Sequence, residues 1–227
     1  MNLLAIDTST KYFSLAVAKD DKITARFHKP IGPGLSRLIL PIIDRQLKKA
    51  GIPLNKIDCF AVGLGPGSFT GLRVGIAAIK GLAFARALPV AGIISLDVLA
   101  LTQAKRDGAY ICPIIDAKRK LIYSALYRRG ESLKRISKYL LVSAEDLLKA
   151  IGRKDKVYFS GDAISLYRNE IVGKLGGAAV FTEESFWYPG PRELVSLARE
   201  KIRNKELDNP DKIVPFYLYP KECQISR

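Results

Sequence analysis

The chain runs through one arrangement of elements twice, which restricts it to folds built from two similar α/β halves. Residues 3–6 form a short apolar run that ends in the turn cluster Asp7-Thr8-Ser9-Thr10. Residues 13–17 alternate as a second strand, and Asp20-Asp21 turns the chain into a third at 23–27. After a Pro/Gly loop, Leu35, Leu38, Ile39, Ile42, Ile43 and Leu47 recur at helical spacing until Gly51 and Pro53. Pro41 falls within that pattern, either in the first turn of the helix or at a kink. Residues 57–64 read as a buried strand. The order recurs from 110: an apolar run ends in Asp116-Ala117-Lys118-Arg119, strands follow at 121–127 and 134–142, and Ser143 caps a helix. A last strand at 157–160 ends in Gly161-Asp162. Between the two series lie a glycine-rich turn, a helix to about Ala87, a strand at 89–94 and a helix from Leu96 to Lys105.

This duplication of architecture predicts an α/β protein with lobes at 1–106 and 107–227. Facing lobes would set Asp7 and Asp116 on opposing loops across a cleft, at strand ends where α/β sheets place ligands. As single residues, both are also ordinary turn aspartates.

Composition narrows the function. Of 227 residues, 48% are hydrophobic and 26% charged, which supports a substantial core. The formal net charge is +15, which points to polyanions such as tRNA, to an acidic partner, or to a solvated lysine-rich surface. No single tract concentrates it; the densest runs are Lys118-Arg119-Lys120 and Arg128-Arg129. The first ten residues lack a basic segment and reach an aspartate at position 7, unlike a signal peptide. No run of about 18 apolar residues could span a membrane. Cys59, Cys112 and Cys223 form no CxxC pair, and the first two sit in apolar runs, as buried thiols in a reducing cytoplasm would. One histidine, His28, at a strand end, cannot build HExxH or a similar zinc motif.

The most specific stretch is Gly63-Leu64-Gly65-Pro66-Gly67-Ser68-Phe69-Thr70-Gly71-Leu72-Arg73-Val74-Gly75. It joins a strand to a helix, where free backbone N–H groups can meet an anion. It is neither a P-loop, lacking Gly-Lys-Ser/Thr, nor a GxGxxG fingerprint. Along the helix Gly71, Gly75, Ala78, Leu82 and Ala85 share one face, with Gly81 alongside. Each interior glycine costs about 0.5–1 kcal/mol relative to alanine, so the stripe implies a close neighbour. That neighbour is either the chain's own sheet or a second subunit.

Several segments together resemble one family. They are LLAIDTST, LILPIID, GLGPGSFTGLRVGIAAIKGLA, Ser95-Leu96-Asp97-Val98-Leu99-Ala100, Asp116-Ala117-Lys118-Arg119, Ser160-Gly161-Asp162, the stretch from Tyr188-Pro189 to Ala198, and Val214-Pro215-Phe216-Tyr217-Leu218. The resemblance is to TsaB (formerly YeaZ), the accessory subunits of bacterial tRNA threonylcarbamoyladenosine synthesis, and covers essentially the whole chain. It implies an actin-like ATPase (ASKHA) fold of two ribonuclease-H-like lobes, each a mixed sheet flanked by helices. It also implies a cytoplasmic, non-catalytic scaffold with no cofactor of its own and no membrane contact. Such a scaffold pairs with TsaD, the subunit that modifies adenosine 37 of tRNA, and is joined by the ATPase TsaE. Alone it forms a homodimer; tRNA is met through the complex, and ATP or ADP can sit at the subunit interface. TsaD's metal-binding histidine pair has no counterpart here.

Family contacts use two N-terminal helices, which match residues 35–50 and 69–87. The resemblance thus favours the subunit reading of the glycine stripe. The implied interface comprises Leu38 and Ile42 from the first helix and Gly67, Phe69, Gly71, Leu72, Gly75, Ile76, Ala78, Ile79 and Leu82 around the second. On this reading Gly75→Leu would spare the fold and break association. Leu35 stands where many members have histidine, and Leu218-Tyr219 replaces the usual Leu-Arg. A second hypothesis is a nucleotide-dependent phosphotransferase or hydrolase. It would use a cleft lined by Asp7, Thr8, Asp116 and Gly161, with Gly161-Asp162-Ala163 as a reduced adenosine loop. A third, resting on the +15 charge, is a tRNA-binding module. A peptidase lacks support, since the sequence shows neither a zinc triad nor a serine–histidine pair.

Overall fold

The computed structural model describes residues 1–103 and 108–219. In chain order the elements begin β1 (Asn2–Asp7), β2 (Tyr12–Lys19), β3 (Lys22–Pro30), α1 (Leu35–Ala50), β4 (Cys59–Gly65), α2 (Phe69–Arg86), β5 (Val90–Ile94) and α3 (Ser95–Thr102). They continue with β6 (Tyr110–Asp116), β7 (Ile122–Ser124), β8 (Tyr127–Arg129), β9 (Leu133–Arg135), β10 (Leu140–Val142) and α4 (Ala144–Ile151). The series ends with β11 (Val157–Ser160), α5 (Ile164–Leu175), β12 (Ala179–Phe181) and α6 (Pro191–Arg203). Lys105, the expected end of α3, and the expected boundary at 106/107 lie outside the described residues.

The first compact unit comprises Met1–Val98 and Pro189–Phe216. Its sheet runs β3-β2-β1-β4-β5, antiparallel through the first three strands and parallel from β1 to β5. Both faces are covered. Leu4, Ile6, Phe60 and Val62 meet Ile39, Ile43, Ile76 and Ile79 of α1 and α2. The alternate residues Leu3, Ala5, Cys59 and Ala61 meet Leu194, Val195 and Ala198 of α6. The period of two along β1 and β4 therefore splits their side chains between two helical layers. Each fully buried Leu or Ile contributes about 1.5–3 kcal/mol. The α6 segment corrects the division at 106, because its apolar face completes this first unit although it follows the whole second series.

Pro41 sits inside α1 as its seventh residue, exposed, and α1 closes on Gly51 in left-handed geometry. Ser68 caps α2 by accepting from the Gly71 amide at 3.2 Å.

The second unit comprises the described residues of 99–188 and 217–219. Its sheet follows β10-β7-β6-β11-β12, with β8 and β9 attached through β6. The single strands expected at 121–127 and 134–142 are each broken in two. The Leu126 amide donates to Ser137 Oγ at 2.8 Å, while the Ile136 and Ser137 amides donate to the Leu126 carbonyl. This side-chain substitution interrupts the ladder, so β7 pairs with β10 and β8 with β9. Ser143 caps α4 as expected, accepting from the Asp146 amide at 3.1 Å and donating to its carboxylate at 2.8 Å.

Candidate functional site

Three parallel strands, β1, β4 and β5, end on one edge of the first sheet, where the chain brings Asp7, Gly65 and Ser95 together. Asp7 is 1% exposed. Its Oδ1 accepts from the Ser9 amide at 2.8 Å and the Ser9 hydroxyl at 2.6 Å. Its Oδ2 accepts from the Ser95 hydroxyl at 2.7 Å, and Ser95 Oγ in turn accepts from the Gly65 amide at 3.2 Å. Burial raises the Asp7 carboxyl above the usual range, opposed by the hydrogen bonds from Ser9 and Ser95. A side chain at Gly63 would place its Cβ 2.0 Å from Asp7 Oδ2, so the glycine makes room for the carboxylate. Ser9 lies two residues from Asp7 in the turn cluster, whereas no spacing rule in the sequence links Asp7 to Ser95, 88 positions away.

The turn after β1 also receives the glycine-rich segment. The Ser68 amide donates to the Ser9 carbonyl at 2.6 Å, and a Cβ at Gly67 would come within 2.1 Å of that oxygen. Thr8 is buried, and its hydroxyl donates to the Gly71 carbonyl at 2.8 Å. A Cβ at Gly71 would meet the Thr8 carbonyl at 2.2 Å, and one at Gly75 would meet Thr8 Oγ1 at 2.1 Å. The close neighbour of this glycine stripe is therefore the chain's own β1–β2 turn.

That result reorders the implied interface. Ile42, Gly71, Leu72, Gly75, Ile76 and Ile79 are buried within the first unit, and Gly67, Phe69, Ala78 and Leu82 are half-buried. Among those named, Leu38 alone is exposed, at 45%. The expectation that Gly75→Leu spares the fold is overturned, because the added side chain has nowhere to go. The outward face of α2 is a different row, Thr70, Arg73, Ala77, Gly81 and Phe84, all exposed. A Cβ at Gly81 would meet nothing within 4 Å.

In the second unit Asp116 ends β6. Its Oδ1 accepts from the Lys118 amide at 2.8 Å, and its Oδ2 pairs with Lys118 Nζ at 2.5 Å. The Asp116 amide donates to Asp162 Oδ1 at 3.0 Å. Lys118, Arg119 and Lys120 all adopt left-handed backbone angles, an arrangement that costs about 1–2 kcal/mol per residue. Gly161 has φ +110°, and a Cβ there would lie 1.9 Å from the Ile114 carbonyl oxygen. Each of Asp7, Thr8, Asp116 and Gly161 is thus held by partners in its own unit. That does not fit carboxylates poised to hold a metal–nucleotide.

Other features resolve plainly. His28 lies in β3 rather than on a free surface: its Nδ1 is 2.8 Å from Ser14 Oγ, and Tyr12 packs on its ring. A serine–histidine contact therefore does exist, contrary to expectation. Ser14, however, is 1% exposed and donates its proton to the Pro189 carbonyl, so the imidazole must donate to it. Burial lowers the His28 pKa, with Arg26 adding to the shift. Burial pushes the Cys59 thiol up to about 11 and Cys112 to about 12; Cys223 lies outside the described residues. Leu35 packs against the core of the first unit. Tyr219 donates to the Ala117 carbonyl at 2.9 Å and meets Tyr123 edge-on. Among the described residues no helix is long and apolar enough to cross a membrane.

Comparison with known proteins agrees with this architecture. A Bacteroides thetaiotaomicron protein with an actin-like ATPase fold and unknown function superimposes with a TM-score of 0.51 at 10% identity, covering 87% of this chain and 95% of that one. The model of the tRNA N6-adenosine threonylcarbamoyltransferase family, TsaD, matches residues 29–226. The class is therefore that of actin-like ATPase-fold proteins related to this transferase, α/β with two mixed sheets.

Closer relatives specify the branch. The Bacillus subtilis tRNA threonylcarbamoyladenosine biosynthesis protein TsaB is 30% identical over 99% of this chain and 96% of its own. YeaZ from Pseudomonas aeruginosa superimposes with a TM-score of 0.82 at 26% identity, covering 96% of this chain and 99% of that one. The chain belongs to the TsaB family.

Proposed function

We propose that this protein acts in tRNA threonylcarbamoyladenosine biosynthesis as a non-catalytic scaffold. It pairs with a TsaD-type transferase subunit, and a TsaE-type ATPase joins the pair. The observation that carries this reading is the outward face of α2. There Ala77, Gly81 and Phe84 are exposed, Phe84 at 52%, beside an α1 that presents Leu38 and Leu40 at 45% and 52%. An exposed helix-interior glycine costs about 1 kcal/mol, and among the described residues nothing lies within 4 Å of a Cβ placed at Gly81 to justify that cost. A partner helix lying close along this face would justify it. The same surface serves a homodimer when the transferase subunit is absent.

The phosphotransferase reading loses ground on one point, because the Asp7 carboxylate it needs is buried and bonded by Ser9 and Ser95. Reconstitution of the tRNA modification from purified TsaD-type and TsaE-type subunits, with and without this chain, tests the proposal. Co-purification with the TsaD-type subunit and modification that requires the chain are expected. Undiminished modification in its absence would sink the scaffold role.

A further inference from the structure

The sequence shows no concentrated basic tract, yet folding builds a basic groove inside the first unit. A groove of about 1160 Å³ runs along edge strand β3, bordered by helix α6 and by the end of α1. Six cationic side chains line it: Lys22, Arg26, Lys49, Arg192, Arg199 and Arg203. The carboxylates facing them belong to Asp20 and Asp21. Asp20 pairs with the N-terminal ammonium at 2.5 Å, and Arg199 donates to its carbonyl and approaches Asp21 Oδ1 at 3.9 Å. For the other five cations no carboxylate lies within ion-pair distance among the described residues. We infer that this groove binds the ribose–phosphate backbone of tRNA; the inference rests on the proposed role in tRNA modification.

Three features favour an RNA backbone. The cations are spread out, not convergent: Arg192, Arg199 and Arg203 share one face of α6 and span about 16 Å at the helical rise. On β3 the register irregularity opposite Val17/Ala18 pairs Arg26 with Ala16, on the α6 side of the sheet, and Lys22 with Lys19, on the other side. A row of that length, with Arg26 across from it, follows a run of phosphates, whereas a single small anion needs donors aimed at one point. Four of the six are arginines, whose planar forks suit phosphate oxygens. An acidic peptide would call for buried aromatic or apolar anchor pockets. Among the described residues the groove has no aromatic lining, and Ile23, Val195 and Ile202 pack against the core of the first unit. Without aromatics there is no stacking platform for bases, so the groove reads charge and leaves sequence to other subunits.

The test uses the full chain and a fluorescently labelled tRNA transcript, with binding followed by anisotropy from 50 to 200 mM salt. Arg192→Gln/Arg203→Gln is expected to weaken binding about tenfold at the low-salt end and to reduce the salt slope by about 1.5. Arg26→Gln is expected to act in the same direction from the opposite wall, with about half the change in salt slope. Lys134→Gln/Lys138→Gln, an equal charge change on the second unit, is expected to leave both unchanged. Equal losses in all three would overturn the groove in favour of diffuse charge. Unaltered tRNA binding by the groove variants would overturn it too, as would their losing only a labelled deca-glutamate probe. Co-purification with the TsaD-type subunit separates the two claims. Groove variants that assemble but bind tRNA normally refute the groove alone. A wild-type chain that neither assembles nor supports modification refutes the scaffold role.

Discussion

The Thr8 hydroxyl donates to the Gly71 carbonyl at 2.8 Å, and Gly75 lies one helical turn further on with no space for a methyl beside the same hydroxyl. This contact ties the turn after β1 to the first turns of α2. Gly75→Ala is expected to destabilise the protein by about 1–3 kcal/mol, since the neighbouring atoms belong to a buried, bonded side chain. Gly81→Ala, on the outward face of the same helix, is expected to stabilise the isolated chain by about 0.5–1 kcal/mol. Urea denaturation of both variants checks the pair; effects of the same sign would refute the assignment of faces.

Association should respond to the outer face. Phe84→Asp adds a charge where the side chain is half-exposed, so the fold is expected to survive within about 0.5 kcal/mol. Dimer and heterodimer are expected to weaken at least tenfold, by sedimentation velocity and by co-purification. Retained association would place the interface elsewhere.

Asp7 makes stability depend on pH with a defined sign. Burial raises its folded-state pKa above the ordinary aspartate value of 3.8, so the unfolded chain releases this proton first as pH rises. Its contribution is complete below pH 3.8 and declines as pH climbs through the folded value. Asp7→Asn removes the titration, so its stability relative to wild type is expected to improve as pH rises above about 4. Parallel stability curves for the two proteins across that range would show that the carboxyl is not buried as described.

Gly161 serves the backbone of the second unit. Gly161→Ala meets both a left-handed φ of +110° and the Ile114 carbonyl oxygen, and is expected to cost about 2–3 kcal/mol. Hydrogen exchange localised to β6 and β11 reads that loss. An unchanged exchange pattern would contradict the contact.

What could be read in advance was whatever is local. The apolar alternation of β1, the Ser143 cap and the glycine-rich segment each follow from residues within one turn or strand, and all are found in place. The paired order of elements pointed to two α/β units, and the family motifs pointed to TsaB.

The helix faces could not be read that way. In α2 both faces carry small residues, Gly71 and Gly75 on one and Ala77 and Gly81 on the other, so periodicity alone does not tell which one meets the sheet.

The sequence by itself determined the architecture and the family, because strand alternation, caps and turns are short-range consequences of side-chain chemistry. Only the tertiary structure decided what the glycines face, which groups bond the aspartates and which basic side chains share a groove. Thr8 with Gly75, Asp7 with Ser95, and β3 with α6 are partners 67 positions apart, 88 apart, and from opposite ends of the chain. No local pattern encodes such pairs; they exist once the sheet has brought its strand ends and its covering helix together.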